Sequence, residues 1–264
     1  MLRNSIYNNK YSIMEITDKF IEPLPSATVL LIRDAEKGPE VLLVLRRKET
    51  VFGANYVFPG GGVDPVDEMA EHYLNKEEKV FINRQFAVSS GGFAYYSAAI
   101  RELFEEAGIL YAVSSDGTFP DHLDLDQIRN QLNMKSLCWD QFLKENQLRL
   151  NYQQLIYFAF WITPLYLSRR FTTRFFLAEI PRKQVASHCG NELIDSCWLS
   201  PKEALLARRK KEINIPHPTA ITLMQIREFT STQEILAWAK QKNDLGVPCY
   251  FPELTSSERE GILL

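Results

Sequence analysis

The chain has 264 residues, 45% hydrophobic and 24% charged, enough apolar side chain for a sizeable core. This composition excludes collagen-like, intrinsically disordered and disulfide-scaffold readings. Thirty Lys and Arg against thirty-three Asp and Glu leave a formal charge of −3, so no basic field invites a polyanion such as nucleic acid.

In chain order, residues 1–24 carry little pattern and read as an N-terminal arm; their polar start, MLRNSIYNNK, lacks an apolar signal core. Ala27–Ile32 and Val41–Arg47 are apolar, β-rich runs joined by a turn-rich link, which predicts neighbouring strands. Val57–Pro65, VFPGGGVDP, is a Gly-rich loop whose backbone can turn sharply and approach a ligand. Residues 68–97 read as a helix-compatible insertion broken at SSGG, and Ser97–Ala107 as a helix capped by Ser97 and Gly108. Two helices are expected within 124–148, then strands at Leu155–Thr163 and Thr172–Ile180. A short strand, IDSCWL, precedes a helix with Ser200 and Glu203 in a capping box, and two further helices close the chain. With no repeat or linker, residues 25–264 are expected to form one α+β domain.

The apolar run Leu155–Leu167 is interrupted by polar residues and too short for a membrane span. Cys138, Cys189, Cys197 and Cys249 show no CxxC spacing, and His72, His122, His188 and His217 no HxxxH pair. That excludes a zinc motif and points to a reducing compartment, the cytoplasm.

On a helical wheel Glu102, Glu105 and Glu106 share an arc of about 100°, while Ile100, Leu103, Phe104 and Ala107 take the opposite side. The expectation is an apolar face on a sheet and three carboxylates looking outward together. Arg101, four residues before Glu105, can pair with it. Like charges at i,i+4 are mildly unfavourable unless a cation joins them.

FPGGGVD followed by AAIRELFEEAGI resembles the Nudix hydrolase box, a glycine and a Glu followed by REUXEEXGU with U apolar. Arg101–Ile109 matches the second half at every specified position, and Gly61 stands as the first glycine. Two departures stand out. Asp67 occupies the place of the first Glu, and 33 residues separate it from Arg101 where the pattern has seven. A split box of this kind, with the stretches at 41–64, 157–181 and 191–205, resembles the coenzyme A diphosphatase branch.

The resemblance implies a Nudix fold, an α/β/α sandwich around a mixed sheet, here with a helical insertion and extra helices. It implies metal-dependent hydrolysis of a nucleoside diphosphate linked to another moiety. Coenzyme A or acyl-CoA would yield 3′,5′-ADP and (acyl-)phosphopantetheine; an ADP-ribose or nucleotide-sugar pyrophosphatase and a non-catalytic nucleotide sensor are the alternatives. Glu102, Glu105 and Glu106 would bind Mg²⁺ or Mn²⁺ as hard oxygen ligands, with Arg101 steadying Glu105. Gly60 and Gly61 would approach the phosphate. For the general base, the family's habit of using a loop beyond the box points to Glu192, with Asp195 as competing acid and Glu102 or Glu105 able to serve instead. Candidates for an additional 3′-phosphate are Arg46, Arg47, Arg169, Arg170 and Arg174, of which Arg46 and Arg170 are carried forward. Strand alternation lets only one of Arg46 and Arg47 face the site. The expected partner is a small-molecule nucleotide, with no nucleic acid or membrane, and a homodimer as the assembly to test.

Overall fold

A computed structural model describes residues 21–46, 55–165, 167, 169–187 and 193–252. Strands β1 (Leu24–Ala35) and β2 (Gly38–Arg46) form the expected hairpin; β3 (Tyr56–Val57) and β4 (Gly60–Gly62) follow. Helix α1 (Pro65–Glu68), a 3₁₀ turn at Met69–Tyr73 and α2 (Lys76–Gln85) lead into α3 (Phe93–Ala107). Beyond it come β5 (Ala112–Val113), α4 (Leu125–Asn133), α5 (Trp139–Glu145) and β6 (Arg149–Leu150). The chain continues through β7 (Ile156–Ile162), β8 (Phe171–Glu179) and β9 (Leu193–Leu199). It ends in α6 (Pro201–Arg209), α7 (His217–Ile226), α8 (Thr232–Leu245) and β10 (Cys249–Tyr250).

Eight strands make one mixed sheet, ordered β10-β7-β8-β1-β2-β3, with β4 added to β1 and β9 to β2. β8 runs parallel to β1, and β2 and β4 run antiparallel to it. The unbroken apolar run of β1 follows from burial on both faces. Ala27, Val29 and Leu31 pack into a cluster with α3, whereas Leu30 and Ile32 join one with α7 and α8. This is the α/β/α sandwich around a mixed sheet.

Three local differences from the sequence reading have physical causes. The glycine segment is a short strand as well as a loop, because its backbone pairs with Ser26–Thr28. Helix α3 begins at Phe93, four residues before Ser97, since FAYY has an apolar face to bury; Ser97 is then fully buried inside the helix. The insertion, read only as helix-compatible, also contributes to the core. Ile82, Phe86 and Phe93 enter the α3-side core, where the Phe86 ring lies 4.8 Å from Tyr157 and 6.0 Å from Phe176.

Candidate active site

The glycine strand is held against β1 by Val29 N–H donating to the Pro59 carbonyl at 2.8 Å and by Thr28 Oγ1 donating to the same oxygen at 2.7 Å. The fit leaves no room for side chains at two positions. A Cβ on Gly60, whose φ is +154°, would lie 2.3 Å from the Ala27 carbonyl oxygen. A Cβ on Gly61 would lie 2.4 Å from the Glu102 carboxylate. Glycine there brings β4 onto the carboxylate face of α3.

Past the glycines, α1 turns Asp67 beneath α3, with Asp64 N–H donating to Asp67 Oδ2 at 2.9 Å. Asp67 is fully buried and receives three more hydrogen bonds. Arg101 Nε donates to Oδ1 at 3.1 Å, Arg101 Nη2 to Oδ2 at 3.0 Å, and Ser97 Oγ to Oδ1 at 3.0 Å. Trp139 Nε1 steadies Ser97 Oγ at 3.0 Å. The remaining donors of Arg101 reach the Gly62 carbonyl at 2.9 Å and Glu102 Oε1 at 2.8 Å, whereas Glu105 Oε2 stands off at 3.6 Å. The expected Arg101–Glu105 pair is thus present but longer than the contacts to Asp67 and Glu102, with Asp64 more distant still at 3.7 Å, and Asp67 is its principal anchor.

Glu106 is the second departure from the wheel. Its side chain is only 4% exposed and accepts from Gly60 N–H at 2.8 Å and from Arg46 Nη2 at 3.3 Å; the same nitrogen donates to the Gly60 carbonyl. The glutamates do not look outward together: side-chain exposure is 14% for Glu102 and 21% for Glu105, because the glycine strand and α1 lie over them. A wheel shows one helix, and the cover comes from elsewhere in the chain.

Burial pushes the carboxyl of Glu102 up despite Arg101 beside it. Glu105 rises to about 7, through burial first and then repulsion from Glu102, against the pull of Arg101. Asp67 is likewise pushed up by burial, opposed by Arg101 and its other hydrogen bonds. Asp64, Asp67, Glu102, Glu105 and Glu106 therefore meet only two guanidinium groups, so carboxylates outnumber cations, and burial holds several of them part-protonated until a cation offsets their charge. That surplus, with an all-oxygen donor set, fits a hard divalent cation rather than zinc. Among the described residues no three acidic, His or Cys side chains already converge as a cation cage, since the glutamates are turned onto Arg101, Arg46 and Gly60.

Arg46 is brought to the site as strand alternation allows; Arg47, His188 and Glu192 lie outside the described residues. Arg170 is not brought there. It is 3% exposed, with Nε donating to the Thr163 carbonyl at 3.1 Å and Nη1 to the Ile21 carbonyl at 2.6 Å, the bonding of a backbone clip. Asp195 accepts from the Tyr56 hydroxyl at 2.9 Å, raising that phenol to about 12 together with burial, the larger cause. Its register partner is Leu45, on the face away from α3. A residue the sequence reading passed over is Arg129. It donates to the Glu105 carbonyl at 3.0 Å, the Glu106 carbonyl at 2.7 Å and the Ser187 carbonyl at 2.7 Å, closing the C-terminal end of α3. An arginine in an ordinary amphipathic helix gives no sequence signal of that role.

A family model described as the NUDT19 Nudix domain matches residues 83–226, and a general NUDIX domain model matches 22–131. The chain belongs to the Nudix hydrolases. It is 28% identical to the acyl-coenzyme A diphosphatase NUDT19 of Xenopus laevis, over 85% of this chain and 69% of that one. It is 26% identical to putative nudix hydrolase 7 of Caenorhabditis elegans, over 81% of this chain and 61% of that one. A crystal structure of a NUDIX hydrolase from Alicyclobacillus acidocaldarius superposes with a TM-score of 0.69 at 25% identity, covering 82% of this chain and 96% of that one. As a Nudix pyrophosphohydrolase, the protein has its box in two pieces that the fold rejoins: Gly60–Asp67 and Arg101–Glu106 touch through Arg101, Gly62 and Glu106 although the insertion parts them in sequence. Nudix hydrolases generally use divalent metal ions, in keeping with the carboxylate surplus here.

Proposed function

We propose that the protein hydrolyses the pyrophosphate of coenzyme A or acyl-CoA to 3′,5′-ADP and (acyl-)phosphopantetheine. The observation that carries the hydrolytic half is the cluster of Asp67, Glu102, Glu105 and Glu106 around Arg101 beneath the glycine strand. The substrate class is supported by the similarity to an acyl-coenzyme A diphosphatase across most of the chain, and by a NUDT19 Nudix domain match that begins within the stretch splitting the box.

In this reading Glu102, Glu105 and Glu106 would hold Mg²⁺ or Mn²⁺. Such an ion, when bound, offsets phosphate charge and makes water more acidic. Arg101 positions Glu102 while Asp67 fixes Arg101. Gly60 and Gly61 let the loop backbone lie close against β1 and Glu102, where the pyrophosphate would approach it, and Arg46 offers a guanidinium. Glu192 takes the proton as water adds to one phosphorus, the bridging P–O bond breaks with its electron pair going to the departing phosphate, and each product carries away one of the two phosphates as a monoester. The same reading treats residues 25–264 as one domain behind an arm at 1–24, working in the cytoplasm on a small-molecule nucleotide. Among the described residues no helix is long and apolar enough to cross a membrane.

Incubation with coenzyme A, acetyl-CoA, ADP-ribose, NADH and diadenosine polyphosphates, each with Mg²⁺ or Mn²⁺, followed by chromatography, tests this. Release of 3′,5′-ADP at the highest kcat/KM is expected. A higher kcat/KM for ADP-ribose would replace the substrate, and no turnover of any compound would favour a nucleotide sensor.

A further inference from the structure

Arg174 is a buried cation without an anion. It sits on β8, 6% exposed, and Nη2 donates to the Phe86 carbonyl at 3.2 Å. Nε and Nη1 are both buried with no hydrogen-bond partner, and among the described residues no carboxylate lies within ion-pair distance. The guanidinium carbon is 3.5 Å from the centre of the Phe160 ring and 4.7 Å from that of Tyr95. Those rings attract a cation but leave its N–H groups open. Buried charges ordinarily have partners, and Arg101, Arg129 and Arg170 in this chain do. Arg174 alone of these four has two nitrogens awaiting an acceptor.

Its place in the sheet says which acceptor. Arg174 is the register partner of Ala27 on β1, and Ala27 is in turn the partner of Gly61, the residue facing Glu102. Two strand spacings, about 10 Å between Cα atoms, thus separate the guanidinium-bearing residue from the pyrophosphate loop along one rung. Ala27 packs on the α3 side of the sheet, so Arg174, its parallel-register partner, lies on the same face as the carboxylates. Its roof is made by the insertion, through Phe86 and Tyr95.

We propose that Arg174 is an anion subsite roofed by the insertion, and that it takes the phosphate monoester carried on the ribose, one sugar away from the pyrophosphate under attack. The inference rests on the coenzyme A reading and deepens it. Both nitrogens are closed off beneath Phe86 and Tyr95, so the 3′-phosphate accepts from Nε and Nη1 as that roof shifts, and the aromatic rings then exclude water and keep the charge-assisted bonds strong. The Phe86 carbonyl holds Nη2 when the subsite is empty, so a bound phosphate also bears on how the insertion seats on the sheet.

The experiment measures kcat/KM for coenzyme A and for 3′-dephospho-coenzyme A with the wild-type chain, Arg174→Lys and Arg174→Met, the fold of each variant being checked by circular dichroism. Competitive inhibition of the wild type by 3′,5′-ADP and by 5′-AMP is measured alongside. The wild type is expected to prefer coenzyme A by about 10- to 100-fold, and 3′,5′-ADP to inhibit more tightly than 5′-AMP by a similar factor. Arg174→Met should bring the substrate ratio toward one, and Arg174→Lys should keep part of it. Equal kcat/KM values in the wild type would overturn the subsite without any variant, as would a preference that survives Arg174→Met in a folded protein. Cleavage of dephospho-coenzyme A as fast as coenzyme A leaves the pyrophosphatase reading standing. Cleavage of neither overturns that reading, and the inference falls with it.

Discussion

At Glu105 burial and nearby charge pull in opposite directions on one carboxyl. Burial and Glu102 raise its pKa to about 7, against Arg101, so near neutrality it is divided between acid and anion. A cation bound there must displace a proton, and the sign follows: below about pH 7 the proton competes, and above it the carboxylate is free. Mn²⁺ affinity followed by electron paramagnetic resonance should rise from pH 6 to pH 8 and level off above; a flat profile would show that Glu105 is not a ligand. Glu105→Gln should lower kcat by roughly 100-fold or more at saturating Mg²⁺ while the urea midpoint stays near wild type, because a 21%-exposed side chain carries chemistry rather than packing. For the base, Glu192→Gln should depress kcat by ~10²–10⁴-fold with little change in KM. Asp195→Asn should do far less, since Asp195 bonds Tyr56 on the other face of the sheet. A larger loss in Asp195→Asn than in Glu192→Gln would reverse the roles.

At the scale of elements, the two adjacent glycines separate stability from catalysis. A Cβ at Gly60 meets the backbone of β1, which cannot move without breaking the ladder, so Gly60→Ala should destabilise by about 1–3 kcal/mol in urea unfolding. A Cβ at Gly61 meets only the end of the Glu102 side chain, which can swing away. Gly61→Ala should therefore leave the unfolding free energy within roughly 0.5 kcal/mol of wild type in urea and lower kcat by about 10- to 100-fold. Equal stability losses in both would remove the distinction. The insertion answers to packing in the same way. Replacing residues 70–94 by a Gly/Ser link removes Ile82, Phe86 and Phe93 from the core, so the shortened chain should fail to fold rather than keep activity on a small substrate. Phe86→Ala alone should cost about 3–5 kcal/mol, read by chemical denaturation.

For the whole molecule, what could be read from the sequence was what neighbours along the chain decide. The strands at 27–32, 41–46, 156–162 and 172–179, the Gly108 cap and the Ser200 capping box follow from apolar periodicity and local hydrogen bonding, which operate over a few residues. The REXXEE pattern with FPGG located the hydrolase box for the same reason, since one helix and one turn carry it. Periodicity could not show that Asp67, rather than Glu105, is the main anchor of Arg101, because that pairing joins residues 34 positions apart through the fold. Nor could it show that the glutamates are covered by β4, that Arg170 serves the backbone while Arg174 keeps two buried nitrogens without an acceptor, or that the insertion is core. Those outcomes depend on which surfaces are brought together when the sheet closes between its two helical layers. Burial and the long-range hydrogen bonds that go with it exist only in three dimensions.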